Sequence, residues 1–109
     1  MDNTKDDRYY LSKIITDLEF IIRNMDGRDY DDFLDNEILQ DSMMFRLVQI
    51  SENAKKVSDE FKNGHNDVPW TDIYGLRNRI VHEYGNVDLH IVYETLVYDI
   101  PEVLDMLKN

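Results

Sequence analysis

The side chains best suited to chemistry are gathered in one short stretch, Arg77-Asn78-Arg79-Ile80-Val81-His82-Glu83-Tyr84. A histidine that titrates near neutrality can take a proton from a ribose 2′-hydroxyl or return one to a leaving oxygen. An arginine can grip a phosphate through two parallel hydrogen bonds and stabilise the charge that develops on it. A tyrosine can donate to a phosphate or stack on a base. Arg77, His82 and Tyr84 together therefore suit cleavage of RNA without a metal. A single histidine serves poorly as both acid and base. Two copies facing each other across a two-fold axis would supply the second.

On an ideal helix, Asn78 and His82 lie one turn apart on the same face, with Arg79 close by. All three oppose Ile73, Leu76 and Ile80 and should project outward. Arg77 falls at the edge of the apolar side. It meets His82 only if its side chain wraps round or the helix loosens at its end. Each residue also has a structural reading. Arg77 can pair an acid, His82 can cap the helix C-terminus, and Tyr84 can pack like others of the seven tyrosines. Asn78 and Arg79 read as supporting residues, one beside the histidine and one as a solvent- or RNA-facing charge. Trp70 reads as an anchor between loop and bundle. His65, His82 and His90 do not fall at the spacing of a helical ligand pair, so neither a metal nor another cofactor is expected.

These residues must be positioned by helices. Four glycines and two prolines punctuate 109 residues, which favours long helices over short strands. Leu11, Ile14, Ile15, Leu18, Ile22 and Met25 form a stripe over a first helix from about Asp6 to Met25, stopped by Asp26-Gly27. Tyr30 to Asn36 reads as a short acidic helical segment. Leu39, Met43, Leu47, Ile50, Ala54, Val57 and Phe61 predict a second long helix from Glu37 to Lys62, ended by Asn63-Gly64. After a loop over His65 to Pro69, a third helix begins near Trp70 and ends near His82. The last runs from the N-cap Asp88 to Lys108, with Pro101 expected to kink or locally break it. The fold class is thus all-α: an up-and-down bundle of four principal helices plus a short extra segment, in one domain spanning residues 1–109.

With a net charge of -11, the chain is ill suited to indiscriminate binding of nucleic acid, though a local phosphate site remains compatible with it. Without cysteine it can form neither disulfides nor thiolate metal sites. No apolar run approaches the roughly 20 residues needed to span a bilayer. The polar, acidic start from Met1 to Asp7 is unlike a signal peptide, so a cytoplasmic protein is expected.

The spacing of Arg77, His82 and Tyr84 resembles the signature of HepT-type toxins in the HEPN superfamily. The resemblance extends to Pro69-Trp70, Gly75-Leu76-Arg77-Asn78, Val81-His82-Glu83-Tyr84, Val87-Asp88 and Asp99-Ile100-Pro101. It also takes in Ile50-Ser51-Glu52-Asn53-Ala54-Lys55-Lys56-Val57-Ser58, where the family often has glycine at the place of Ser51. It implies a homodimer with both motifs at a shared cleft, acting as a metal-independent endoribonuclease. It further implies a toxin–antitoxin system whose antitoxin, a minimal nucleotidyltransferase, transfers AMP to Tyr84. Such a phosphate ester would place charge and bulk beside Arg77 and His82, where RNA phosphate must sit. The alternative within the same resemblance is a non-catalytic module that binds a nucleotide or a partner.

Overall fold

The computed structural model describes residues 6–108; the first five residues of the polar start, and residue 109, lie outside it. Among the described residues there is no strand. Helix α1 spans Asp7–Met25 and is capped by the Asp6 carboxylate, which accepts from the Tyr9 N–H. It stops where Gly27 takes a positive φ of 74°, a conformation that favours glycine. Helix α2, Tyr30–Leu34, is held by a reciprocal capping box between Asp29 and Asp32. It is short, yet it drives Phe33 fully into the core.

Helix α3 spans Glu37–Lys56. The sequence predicts continuation to Lys62, and the structure corrects this. Val57 turns out of the helix and Ser58 begins a new one, α4, Asp59–Asn63. The cause is local. The Ser58 hydroxyl accepts from the Phe61 N–H as an N-cap, with Asp59 and Glu60 favourably placed in the first turn. The Asp7 carboxylate then accepts from both the N–H and the Oγ of Ser58, at 2.8 and 2.6 Å. The apolar stripe runs through this break, because Val57 is buried on one side of it and Phe61 packs on the other.

Helix α5 spans Trp70–His82, and a 3-10 turn follows at Tyr84–Asn86. Its start is fixed by the Trp70 indole, which donates to the His65 carbonyl at 3.1 Å. The C-terminal stretch comprises α6, Leu89–Glu94, a π-helical turn at Thr95–Asp99, and α7, Ile100–Lys108. Pro101 has no N–H and its ring crowds the carbonyl four residues back. The expected disruption takes the form of a wider turn just before it, where the Ile100 N–H reaches the Thr95 carbonyl.

Packing follows the stripes. Helix α1 lies against α3 and α7, and α5 lies against α3. Ile14, Leu18, Ile21 and Met25 meet Met43, Leu47, Ile50 and Ala54 in the core, with Val92, Leu96, Ile100 and Val103 closing it from the C-terminal side. The first stripe is rotated slightly from the expected one, since Ile21 is buried while Ile15 and Ile22 are only half-buried. The rotation turns Asp17 inward, where Arg46 of α3 meets it at 2.7 Å and lies over the Phe20 ring.

Candidate functional site

Helix α5 carries the chemistry-bearing residues, and its seat on α3 decides which way they face. Ile80 is the one residue of α5 that is fully buried. The Tyr74 hydroxyl donates to the Ala54 carbonyl at 3.4 Å, pinning the N-terminal half of α5 to α3. Two further contacts tie α5 and the turn that follows it to α3.

The first involves Arg77. Its Nε donates to Glu52 of α3 at 2.9 Å, and one terminal nitrogen donates to the Asn78 side-chain oxygen at 3.2 Å. The side chain is about one-quarter exposed, so the guanidinium is held at the surface rather than buried. The structural reading of Arg77 as an acid's partner is therefore correct as far as it goes. Asn78, the acceptor of that bond, sits one turn before His82. His82 is exposed at the end of α5, and among the described residues no side-chain hydrogen bond joins its ring to Arg77 or to another group. The two lie five positions apart, about 140° around an ideal helix, so within one copy they face different directions.

The second contact involves Tyr84 in the 3-10 turn. Its hydroxyl donates to the carboxylate of Asp41 on α3. That hydrogen bond, with partial desolvation and the negative charge of Asp41, pushes the phenol up to about 12. Asp41 and Glu52 are eleven positions apart, three helical turns, and share one face of α3. They bind Tyr84 and Arg77 respectively, which sets α3 and α5 antiparallel along this seam.

Arg79 points elsewhere. It lies about 200° round from Arg77 and lines a cleft between α5 and the C-terminal helices. The structure thus ties Arg77, with Asn78 beside it, and Tyr84 to the α3–α5 seam and sets Arg79 on the cleft side, while exposed His82, about 140° from Arg77 and 60° from Arg79 on an ideal helix, is brought to the seam by no side-chain contact among the described residues. His65 packs on Phe61 and donates from Nδ1 to the Phe61 carbonyl at 3.0 Å, and His90 pairs with Glu94, so both are engaged away from this seam. Asp41 and Glu52 were missed by sequence reasoning. Their shared register on α3 was a usable signal, but it does not name the residues they meet.

Beside the seam, several apolar side chains are left uncovered. Ile38 is 83% exposed, Phe45 59% and Val81 45%. Ile38 and Phe45 are seven positions apart on α3 and share the face of Asp41 and Glu52.

Comparison with known proteins agrees with this architecture. A family model described as ribonuclease HepT-like matches residues 14–109. A relative from Caldanaerobacter subterraneus subsp. tengcongensis, provisionally named an RNase, is 35% identical over 105 residues, covering 96% of this chain and 94% of that one. A protein of Thermococcus cleftensis, provisionally named ribonuclease HepT, is 29% identical over 94 residues, covering 86% of each. A two-activity protein of Methanocaldococcus jannaschii, named as a gamma-glutamylcyclotransferase and provisionally as an RNase, is 31% identical over 99 residues, covering 91% of this chain and 45% of that protein. No solved structure matches the chain at the same stringency. A helical bundle with this motif at the end of α5, matched over most of its length, belongs to the HepT-like ribonuclease family of the HEPN superfamily.

Proposed function

We propose that this chain is a metal-independent endoribonuclease, the toxin of a toxin–antitoxin pair, with Arg77 and His82 as its catalytic residues. The observation that carries the reading is the partly exposed guanidinium of Arg77, held by Glu52 and Asn78, with an exposed histidine five positions on in the same helix of a HepT-like chain.

In this mechanism neutral His82 takes the proton of a ribose 2′-hydroxyl as its oxygen attacks the adjacent phosphorus. The bond from phosphorus to the 5′-oxygen breaks, and that oxygen takes a proton from the protonated His82 of a second copy. A cyclic 2′,3′-phosphate and a free 5′-hydroxyl result. Arg77 binds the non-bridging oxygens and favours the charge-rich transition state. Asn78 supports the arginine, and Arg79 supplies positive charge on the neighbouring flank. The second copy is supported by the uncovered Ile38, Phe45 and Val81 beside the seam, since apolar side chains so placed gain by mutual burial in a homodimer.

Tyr84 is the site at which a cognate nucleotidyltransferase antitoxin would add AMP. The phenol oxygen bonds the α-phosphorus of ATP, pyrophosphate leaves, and Asp41, already bonded to the hydroxyl, receives the proton. The product carries a negative phosphodiester next to the RNA site and blocks it.

The test is cleavage of RNA by purified protein in excess chelator. His82→Ala and Arg77→Ala should each reduce the rate by at least about 100-fold with circular dichroism unchanged. Glu52→Gln, which keeps a hydrogen-bond acceptor but not the charge, should lie between these and the parent. Undiminished cleavage by the His82 variant would remove the catalytic assignment. A second reading, a non-catalytic module that binds a nucleotide or a partner, is favoured by the engagement of Arg77 with Glu52 and by the net charge of -11. Saturable ATP binding with no RNA turnover would select it.

A further inference from the structure

We propose that the cleft between α5 and the C-terminal helices receives a basic amphipathic segment of a protein partner. Helix α5 is seated on α3 and leaves its other flank parted from α6 and α7 by a cleft of about 670 Å³. The volume falls within the range of ligand-binding clefts. Its far wall runs from Ile91 to Met106, about four helical turns, so the space is an elongated groove matched to a helix.

The floor is core. Ile50 and Val103 line it, and both are buried beneath the groove. The rim is acidic. Asp67 and Asp72 stand on one side, Asp99 and Glu102 on the other, against one guanidinium, that of Arg79, among the described lining residues. Within the described residues none of the four carboxylates makes an ion pair. Burial and the nearby carboxylates of Glu102, Asp72 and Glu94 push the Asp99 carboxyl upward, as expected where like charges crowd without a counter-ion.

An apolar trough between two rows of carboxylates is complementary to an apolar helix face flanked by lysine or arginine. It is the wrong surface for RNA, whose phosphates those rows repel. A second copy of this chain is placed by the proposed homodimer at the uncovered Ile38, Phe45 and Val81 beside the α3–α5 seam, which leaves this groove to a different partner.

The probe is a fluorescein-labelled peptide of about 14 residues with leucine on one helical face and lysine on its flanks, titrated with the full chain at physiological salt. Two variants address the groove. One is Asp72→Asn with Asp99→Asn and Glu102→Gln. The other is Gly75→Phe. Gly75 lines the groove and a Cβ there meets nothing within 4 Å, so a side chain can be added at the groove wall without a backbone clash. A remote control removes equal charge through Asp31→Asn, Glu37→Gln and Glu60→Gln. Both groove variants should weaken binding by about tenfold or more, and the control by less than about twofold.

Equal weakening by the control would reduce the effect to overall charge, and an indifferent Gly75→Phe would place the peptide elsewhere. Failure of the peptide to bind also overturns the proposal. So does dissociation of an oligomer by either groove variant in sedimentation, or Gly75-dependent displacement of the peptide by an RNA oligonucleotide.

Discussion

Arg77 and Tyr84 each meet a carboxylate of α3, and the consequences differ. Glu52 orients Arg77 while leaving it cationic and at the surface, so the guanidinium is available to a phosphate that outcompetes one hydrogen bond. Asp41 holds the Tyr84 proton in place and raises its pKa to about 12. A phenol so raised contributes stability that is fully present below its ordinary pKa of about 10 and lost as pH rises through the folded value. In a tyrosinate absorbance titration, comparison with Tyr84→Phe should assign the highest transition to Tyr84, and Asp41→Ala should bring it down toward the unperturbed value. An unchanged transition in Asp41→Ala would show that burial, not the carboxylate, raises it. The residue types of this site were legible in the chain, because Arg, His and Tyr at this spacing suit one chemistry. Their partners were not, since Asp41 and Glu52 lie 43 and 25 positions away.

The helices that carry these residues follow local chemistry closely, including where they stop. Ser58 is at once the N-cap of α4 and the residue that Asp7 grips from α1. Ser58→Ala should lower stability by about 1 kcal/mol in urea unfolding. The two hydrogen bonds from Ser58 hold the Asp7 carboxyl below its usual range. Their contribution is therefore present above the ordinary carboxylate pKa and is lost as pH falls through the lowered one. The difference between parent and Ser58→Ala should shrink in acid. Ser51 behaves oppositely. It is wholly buried in α3, and its hydroxyl has no hydrogen-bond partner. Ser51→Ala should raise the urea midpoint, by roughly 1 kcal/mol of stability, because it removes an unsatisfied polar atom and improves helix propensity. A lower midpoint would mean that the hydroxyl is satisfied in solution.

Taken whole, the chain is a helical body with two contrasting sides of α5. Toward α3 lies a seam edged by Arg77 and Tyr84 with uncovered apolar side chains beside it. Toward α7 lies an acidic-rimmed groove. No helix among the described residues is long and apolar enough to cross a membrane. If the seam edge is where two copies meet, Phe45→Glu should convert a dimer to a monomer in sedimentation while leaving far-UV circular dichroism intact, because Phe45 is 59% exposed in the single chain. RNA cleavage should fall with it, since each site would lose the partner's histidine. A dimer that survives Phe45→Glu would move the interface elsewhere.

The helical class, the number of long helices, the stops at Gly27 and near His82, and the motif at the end of α5 could all be read from the order of residues. They depend on periodicity, capping and turn chemistry, which act over a few positions. The rotation that buries Asp17, the union of Arg77 with Glu52 and of Tyr84 with Asp41, and the groove beside Gly75 could not. Each depends on how far two helices lie apart and how they are turned, which is set by the packing of Leu18, Met43, Ile50 and Val103 across the core. A stripe on one helix tells which side goes inward, but not which residue of another helix it will find there.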